Sequence, residues 1–263
     1  MSAANPNAMT PAIHMSGVSV VSQKEARVMV AEGVDWTVAA GEFWVVGAPQ
    51  SSGKSDFLMM AGGLTRPARG DYFFLGERMP IFEEVRLGHR LKLGFVFDGG
   101  RLFSQLTVAE NIALPLRYHM KVAPAEAASR VEALLELTGL TPWAQHTSGN
   151  LGRSWQQRAG LARALVLQPE VLLLDSPLTG LDVRHTAWWL DFLDQLSRGN
   201  GFMSGRRVTL VATADDLRPW RQHANRVACL AAGRLRVLGD WQAAEDSEEA
   251  ILRELLPEEP PGN

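Results

Sequence analysis

The sequence predicts an α/β fold with a helical insertion near its middle, and three observations carry that reading. A short apolar run, residues 42–46, leads through a glycine- and serine-containing loop into an apolar helix beginning near Phe57. That is the strand–loop–helix order of a parallel-sheet unit. Val171-Leu-Leu-Leu174 follows Pro169 as an unbroken apolar run, the pattern of a strand covered on both faces. From residue 107 to 140 the apolar spacing becomes helical, most clearly over 125–137.

Taken in order, residues 1–16 are small, polar and proline-containing and predict a disordered tail. Residues 18–21 and 26–30 are β-branched stretches around a charged turn, and 34–38 alternate apolar and polar, so all three predict strands. Residues 39–42 read as a turn, and 71–75 and 93–97 as further strands. A helix is expected at about 154–167 and another at about 184–198, followed by a strand at 208–212 and a hairpin of 226–230 with 234–238. In the acidic segment 245–256, Ile251, Leu252, Leu255 and Leu256 fall on one helical stripe. One folded domain is therefore expected over 17–256, its helical part at about 99–168, with a second disordered tail at 257–263.

Composition narrows the function. The 263 residues are 46% hydrophobic and 21% charged, which excludes whole-chain disorder. A net charge of −3 without a Lys/Arg block argues against nucleic acid as a partner. The single cysteine, Cys229, excludes an internal disulfide and fits a reducing compartment. The start has neither a charged nor an apolar leader region, and no apolar run reaches the length of a membrane helix. A cytoplasmic protein is expected, with any membrane role supplied by a partner. The histidines show no metal-ligand spacing, and His89, His119 and His223 read as surface residues.

The chemistry centres on Gly47-Ala-Pro-Gln-Ser-Ser-Gly-Lys-Ser55. Such a loop wraps backbone N–H groups around phosphates, with a lysine on the terminal phosphates and a hydroxyl on Mg²⁺. Ser51, Ser52, Gly53, Lys54 and Ser55 are the candidate nucleotide-binding residues. Asp175 ends the 171–174 strand, where ligands bind in open α/β sheets, and with Ser55 it is the candidate Mg²⁺ site. An ordinary strand-to-helix turn is the plain alternative for the loop taken alone.

With these in place, five segments in order resemble the nucleotide-binding domain of ATP-binding cassette (ABC) transporters. Residues 94–112 resemble the segment around the family's Q-loop, and 151–167 its signature motif and helix. Residues 175–182 resemble the end of Walker B and the D-loop with Asp182, 209–215 the H-loop strand, and 226–239 the closing hairpin. The resemblance implies a P-loop NTPase-type core with an antiparallel β subdomain and a helical insertion. It also implies ATP and Mg²⁺ as ligands, a transmembrane permease and a second ABC subunit, identical or not, as partners, and a place at the inner face of the cell membrane. Leu102-Phe103, residues 111–116 and the leucine-rich tail are most similar to the maintenance-of-lipid-asymmetry branch, which implies lipid transport.

Against that family the reactive positions depart. Ser176 stands where a glutamate polarises the attacking water, Ala214 where a histidine meets the γ-phosphate, and Asp98 where the Q-loop has glutamine. Gly152, Arg153 and Ser154 replace the signature's serine and paired glycines, and Arg153 reads as a phosphate-binding or a solvent-facing cation. Ala48 and Ser51 stand at loop glycines, Asp56 follows Ser55, and no aromatic between Met15 and Val34 can stack on adenine. The sequence thus predicts a transporter subunit that hydrolyses little or no ATP, with weak nucleotide binding. An active transport ATPase and a non-transport interaction module are the alternatives. Trp188-Trp189 reads as core, and Phe97, Leu102, Phe103, Leu106 and Ile112 as candidate permease contacts.

Overall fold

A computed structural model describes residues 10–256 apart from Ala26, Ile81 and Lys121. Its strands are β1 Ile13–Val21, β2 Met29–Val38, β3 Phe43–Gly47, β4 Arg69–Phe74, β5 Glu77–Arg78, β6 Leu93–Val96, β7 Val171–Leu174, β8 Thr209–Ala214, β9 Arg226–Ala231 and β10 Arg234–Gly239. Its helices are α1 Lys54–Ala61, α2 Leu87–Arg90, α3 Val108–His119, α4 Pro124–Leu137, α5 Arg153–Leu165, α6 Val183–Arg198, α7 Trp241–Glu245 and α8 Ile251–Leu255.

The first sheet has the order β2-β1-β4-β5 and its neighbours run antiparallel. It begins inside the stretch expected to be a tail. Ile13 and Met15 are buried, and β1 pairs from Ile13 with both Val38 and Phe74. Residues 1–9 and the expected tail 257–263 lie outside the described residues. Residues 29–30 of the stretch expected at 26–30 and the stretch expected at 34–38 belong to one strand, β2, carried through Gly33 in the left-handed region (φ 60°), while Ala26 lies outside the described residues.

The second sheet has the order β10-β9-β3-β8-β7-β6 and is parallel except for the β9–β10 hairpin. Its central strands β3 and β7 are buried at every residue, as unbroken apolar runs require. Between the sheets Trp36 meets Trp44 edge-on at 5.5 Å and Phe57 at 5.8 Å. The other face of the parallel sheet is covered by α5, α6 and the insertion. At the C-terminus two short helices replace the single expected one. Asp240 accepts from the Ala243 N–H at 2.9 Å and starts α7, a turn around Ser247 follows, and Leu252 and Leu255 of α8 are buried.

Between β6 and β7 the insertion is held by local chemistry. Thr107 and Glu110 form a reciprocal capping box that starts α3. One turn on, Asn111 is fully buried. Its carbonyl oxygen accepts from the Phe103 N–H at 2.9 Å, and its amide donates to the carbonyls of Phe103, Leu106 and Thr107 and to Ser148 Oγ. A single side chain thus fixes the loop that leads into the insertion. Asn111→Ala should cost about 3 kcal/mol in urea unfolding, because the Phe103 N–H loses its partner and the carbonyls of Phe103, Leu106 and Thr107 each lose one of theirs.

Candidate functional site

The loop between β3 and α1 has the shape of a phosphate cradle. Ser51 adopts the left-handed region (φ 61°), which a glycine would occupy without steric cost. Gly53 does so too (φ 85°), and a Cβ there would lie 2.6 Å from the Val30 side chain of β2. Ser52 Oγ is buried without a hydrogen-bond partner. Lys54 donates only weakly, at 3.4 and 3.5 Å, to the carbonyls of Ala48 and Pro49. A partnerless hydroxyl and a lysine resting on carbonyls at the start of a helix fit phosphate oxygens. Asp56, in the first turn of α1, adds a negative charge beside them.

At the end of β7, Asp175 lies 2% exposed, and its Oδ1 accepts from Ser55 Oγ at 3.0 Å and Thr213 Oγ1 at 3.3 Å. Burial raises its proton affinity above the usual aspartate range, and the Ser55 and Thr213 hydroxyls offset this only partly. A hydroxyl and a carboxylate in contact are the oxygen donor set that a Mg²⁺ ion accompanying phosphates takes. The residues present therefore fit Mg-nucleotide on the phosphate side.

Beyond Asp175 the site changes character. Ser176 is buried in the left-handed region (φ 47°), its N–H donating to Thr213 Oγ1 at 3.0 Å. Ser176 and Ala214 line a cavity of about 350 Å³ together with Gln50, Thr179, Asp215 and Asp216. Asp216 is held by the Arg218 guanidinium and N–H. Asp215 is a carboxylate of this cavity that the sequence reading passed over; its place after the position-214 residue was the available signal.

The signature segment opens α5. Gly152 is the N-cap and has open space around it, and Ser154 is half-buried. Arg153 is exposed, as the solvent-facing reading expects, and it pairs with Asp98 of the same chain, its Nε lying 3.5 Å from the Thr179 carbonyl. The charge at Asp98 is therefore answered within the subunit. Trp155 stacks its edge on His185, and the Arg158 guanidinium lies between Trp155 and Trp188, where burial lowers its pKa to about 10. Asp182 caps α6, accepting from the His185 N–H at 2.9 Å, and this bond lowers its pKa. Trp189 is buried as expected of a core residue. His89 bonds the Phe74 carbonyl at 2.8 Å and His223 pairs with Asp194 at 3.0 Å, so neither is a free surface residue. Among the described residues no helix is long and apolar enough to cross a membrane.

A phosphate cradle after β3 of a parallel sheet, a carboxylate at the end of β7 two strands away and a helical insertion between them in sequence define a P-loop nucleotide-binding domain. Residues 31–179, more than half of the chain, match the ABC transporter family, and the chain belongs to that family with the ABC ATPase fold. It is 32% identical over 227 residues to the methionine import ATP-binding protein MetN of Mesorhizobium japonicum, spanning 86% of this chain and 60% of that protein. It is 32% identical over 219 residues to the macrolide export ATP-binding/permease protein MacB of an Azoarcus species, spanning 82% of this chain and 32% of that protein. The chain thus covers less than two thirds of either relative. The ATP-binding cassette MJ0796, solved as a dimer bound to ADP and Pi, superposes with a TM-score of 0.75 at 26% identity, over 87% of this chain and all of that one. CbiO1 of Clostridium perfringens, with a TM-score of 0.75 over 93% of this chain and 94% of that one at 20% identity, shares the fold. By their names these relatives serve methionine import and macrolide export, which supports the family and not the lipid-asymmetry branch in particular.

A buried carboxylate with a raised pKa binds more protons folded than unfolded, so ligand-free stability falls as pH rises through its folded pKa. Asp175→Asn should remove that dependence and raise the neutral-pH melting temperature of the ligand-free protein. Thermal melts from acidic to neutral pH check this.

Proposed function

We propose that this chain is the ATP-binding-cassette subunit of a membrane transporter, with little or no ATP hydrolysis of its own. One observation supports this above the others: the cavity bounded by Ser176 and Ala214 lacks both the glutamate and the histidine that the family places there. A hydroxyl is a poor base near neutral pH, and losing a general base costs about 10²–10⁴-fold. Arg153, at the signature, is engaged with Asp98 of its own subunit, and of the three signature positions Gly152 alone offers glycine backbone to the partner's nucleotide.

In this reading Lys54 and the loop N–H groups around Ser51 to Ser55 hold phosphates, and Ser55 with Asp175 holds Mg²⁺. Mg-ATP, when bound, supplies the charge that draws two cassettes together. The chain's own residues bind and orient it; they offer no proton acceptor of the family's kind at positions 176 and 214. Asp56 and the absence of an aromatic between Met15 and Val34 make binding weak, on the order of a thousandfold or about 4 kcal/mol. The retained cradle, with Ser52, Lys54, Ser55 and Asp175 in place, favours a second reading, an active transport ATPase.

The permease would meet the loop after β6 and bring the subunit to the inner face of the membrane. Of the residues expected there, Ile112 is buried and Leu102 packs on the core, whereas Phe103 is 63% exposed. Asn111, part of the stretch that resembles the lipid-asymmetry branch, is used to brace this loop, so that stretch supports the fold of the insertion more than a lipid cargo.

Purified protein is expected to show no Lys54-dependent turnover, and Ser176→Glu alone should not restore it, because such losses are not additive. Robust turnover abolished by Lys54→Ala would establish the second reading instead. For the partner, Phe103→Ser should leave the circular dichroism spectrum unchanged and reduce co-purification with a permease encoded beside it by about tenfold or more. Undiminished recovery of the complex would move the contact elsewhere.

A further inference from the structure

Helix α5 is tied to two loops of the core along its whole length. In its middle, Gln157 donates to the carbonyls of Ser176 and Pro177 at 3.3 and 2.7 Å. Near its end, Arg163 donates to the carbonyls of Gly100 and Arg101 at 2.7 and 3.0 Å. These ties go to backbone, and Gln157 is fully buried. At the N-terminal end the tie is of another kind. Arg153 meets the Asp98 carboxylate and the Thr179 carbonyl, so one guanidinium touches the loop after β6 and the loop after β7 together.

We propose that Asp98 and Arg153 form an intrachain clasp, a breakable charge pair that holds the N-terminal end of α5, and with it the helical insertion, against the core. Three features separate it from an incidental surface pair. The guanidinium lies in a slot: a Cβ at Gly99 would come within 3.1 Å of its Nη1, and one at Gly180 within 3.4 Å of its Nε. Among the described residues it is the ion pair that joins α5 to the loop after β6, Arg130–Glu126 lying wholly inside α4 and Lys92–Glu170 beyond the end of α5. Finally, by the resemblance, Asp98 stands where the family carries glutamine and Arg153 within the segment where it carries serine and glycines, so both charges belong to this chain. Each charge alone would be unanswered in that slot; together they neutralise one another.

Both partners are a little under half exposed, 45% and 41%, so the pair is open to screening by salt whereas the bonds of Gln157 are not. The clasp is independent of whether nucleotide binds, and its test needs none. Amide hydrogen exchange of the whole chain is followed at Trp155 to Gln157 and at Gly99 to Arg101. Asp98→Asn should speed exchange at the start of α5, and Arg153→Gln should speed it in the 99–101 loop, each by about two- to fivefold. The reversed pair, Asp98→Arg with Arg153→Asp, should bring both segments back toward the wild-type rate. Raising the salt concentration should loosen both segments in the wild type and have little effect in either single variant. The salt series requires no substitution, so it decides even if the reversed pair misfolds. Exchange at α5 that is indifferent both to salt and to Asp98→Asn would overturn the clasp.

Discussion

The arrangement of this protein depends on how closely α5 approaches the loop that follows β6. Gly100 lies in the left-handed region (φ 76°), and a Cβ on it would fall 2.2 Å from the Gln156 carbonyl oxygen. Gly160, one turn along the helix, faces Gly100 in the same way, at 2.7 Å from its Cα. Two missing side chains let backbone meet backbone, and Gln157 and Arg163 then reach the carbonyls of the two loops, Ser176 and Pro177 for the first and Gly100 and Arg101 for the second. Because that contact sets the height of α5, it also sets where its first residue falls. Arg153 lands beside Asp98, and Trp155 lands beside His185.

The phosphate loop and positions 176 and 214 meet at the ends of β3, β7 and β8, linked by the Ser55–Asp175–Thr213 hydrogen bonds. The cradle rests on β3, α1 and the inner face of the antiparallel sheet, where Val30 packs on Gly53. Ser176 and Ala214 lie at the ends of β7 and β8, joined by Thr213, which accepts from the Ser176 N–H and donates to Asp175. The Ala48 N–H donates to the Ala214 carbonyl at 2.8 Å, so position 214 meets the cradle through backbone rather than through its side chain. At Ser51 the backbone of the loop is held at the expense of a strained serine where glycine would be relaxed.

Much of this was legible from residue patterns. The strand 171–174 matches its expected bounds because four apolar residues between a proline and an aspartate leave little choice. The closing hairpin and α6 fall within a residue or so of expectation for similar reasons. The start of β1 was missed because Ile13 and Met15 declare themselves only through partners at Val38 and Phe74, distant in sequence. At the site, the loop and Asp175 could be read from local spacing. The meeting of Asp98 with Arg153 could not, since fifty-five positions separate them and each looked unfavourable alone. Two apparent defects at a distance are a single neutral arrangement in space.

The end of β3 carries a further consequence, one for the history of the sequence. Gly47 is packed from outside by α8: a Cβ there would lie 2.8 Å from Leu255 Cδ1 and 2.9 Å from Leu217 Cδ1, and the Leu217 N–H donates to the Leu255 carbonyl at 2.9 Å. The residue that opens the phosphate loop and a leucine near the far end of the chain thus occupy one volume. Neither position can drift by itself; a larger residue at 47 is viable only in a lineage where 217 or 255 has already become smaller. Across related genomes these three sites should change as a linked set, and a chain that acquires a different C-terminal segment would inherit a different constraint on its nucleotide loop.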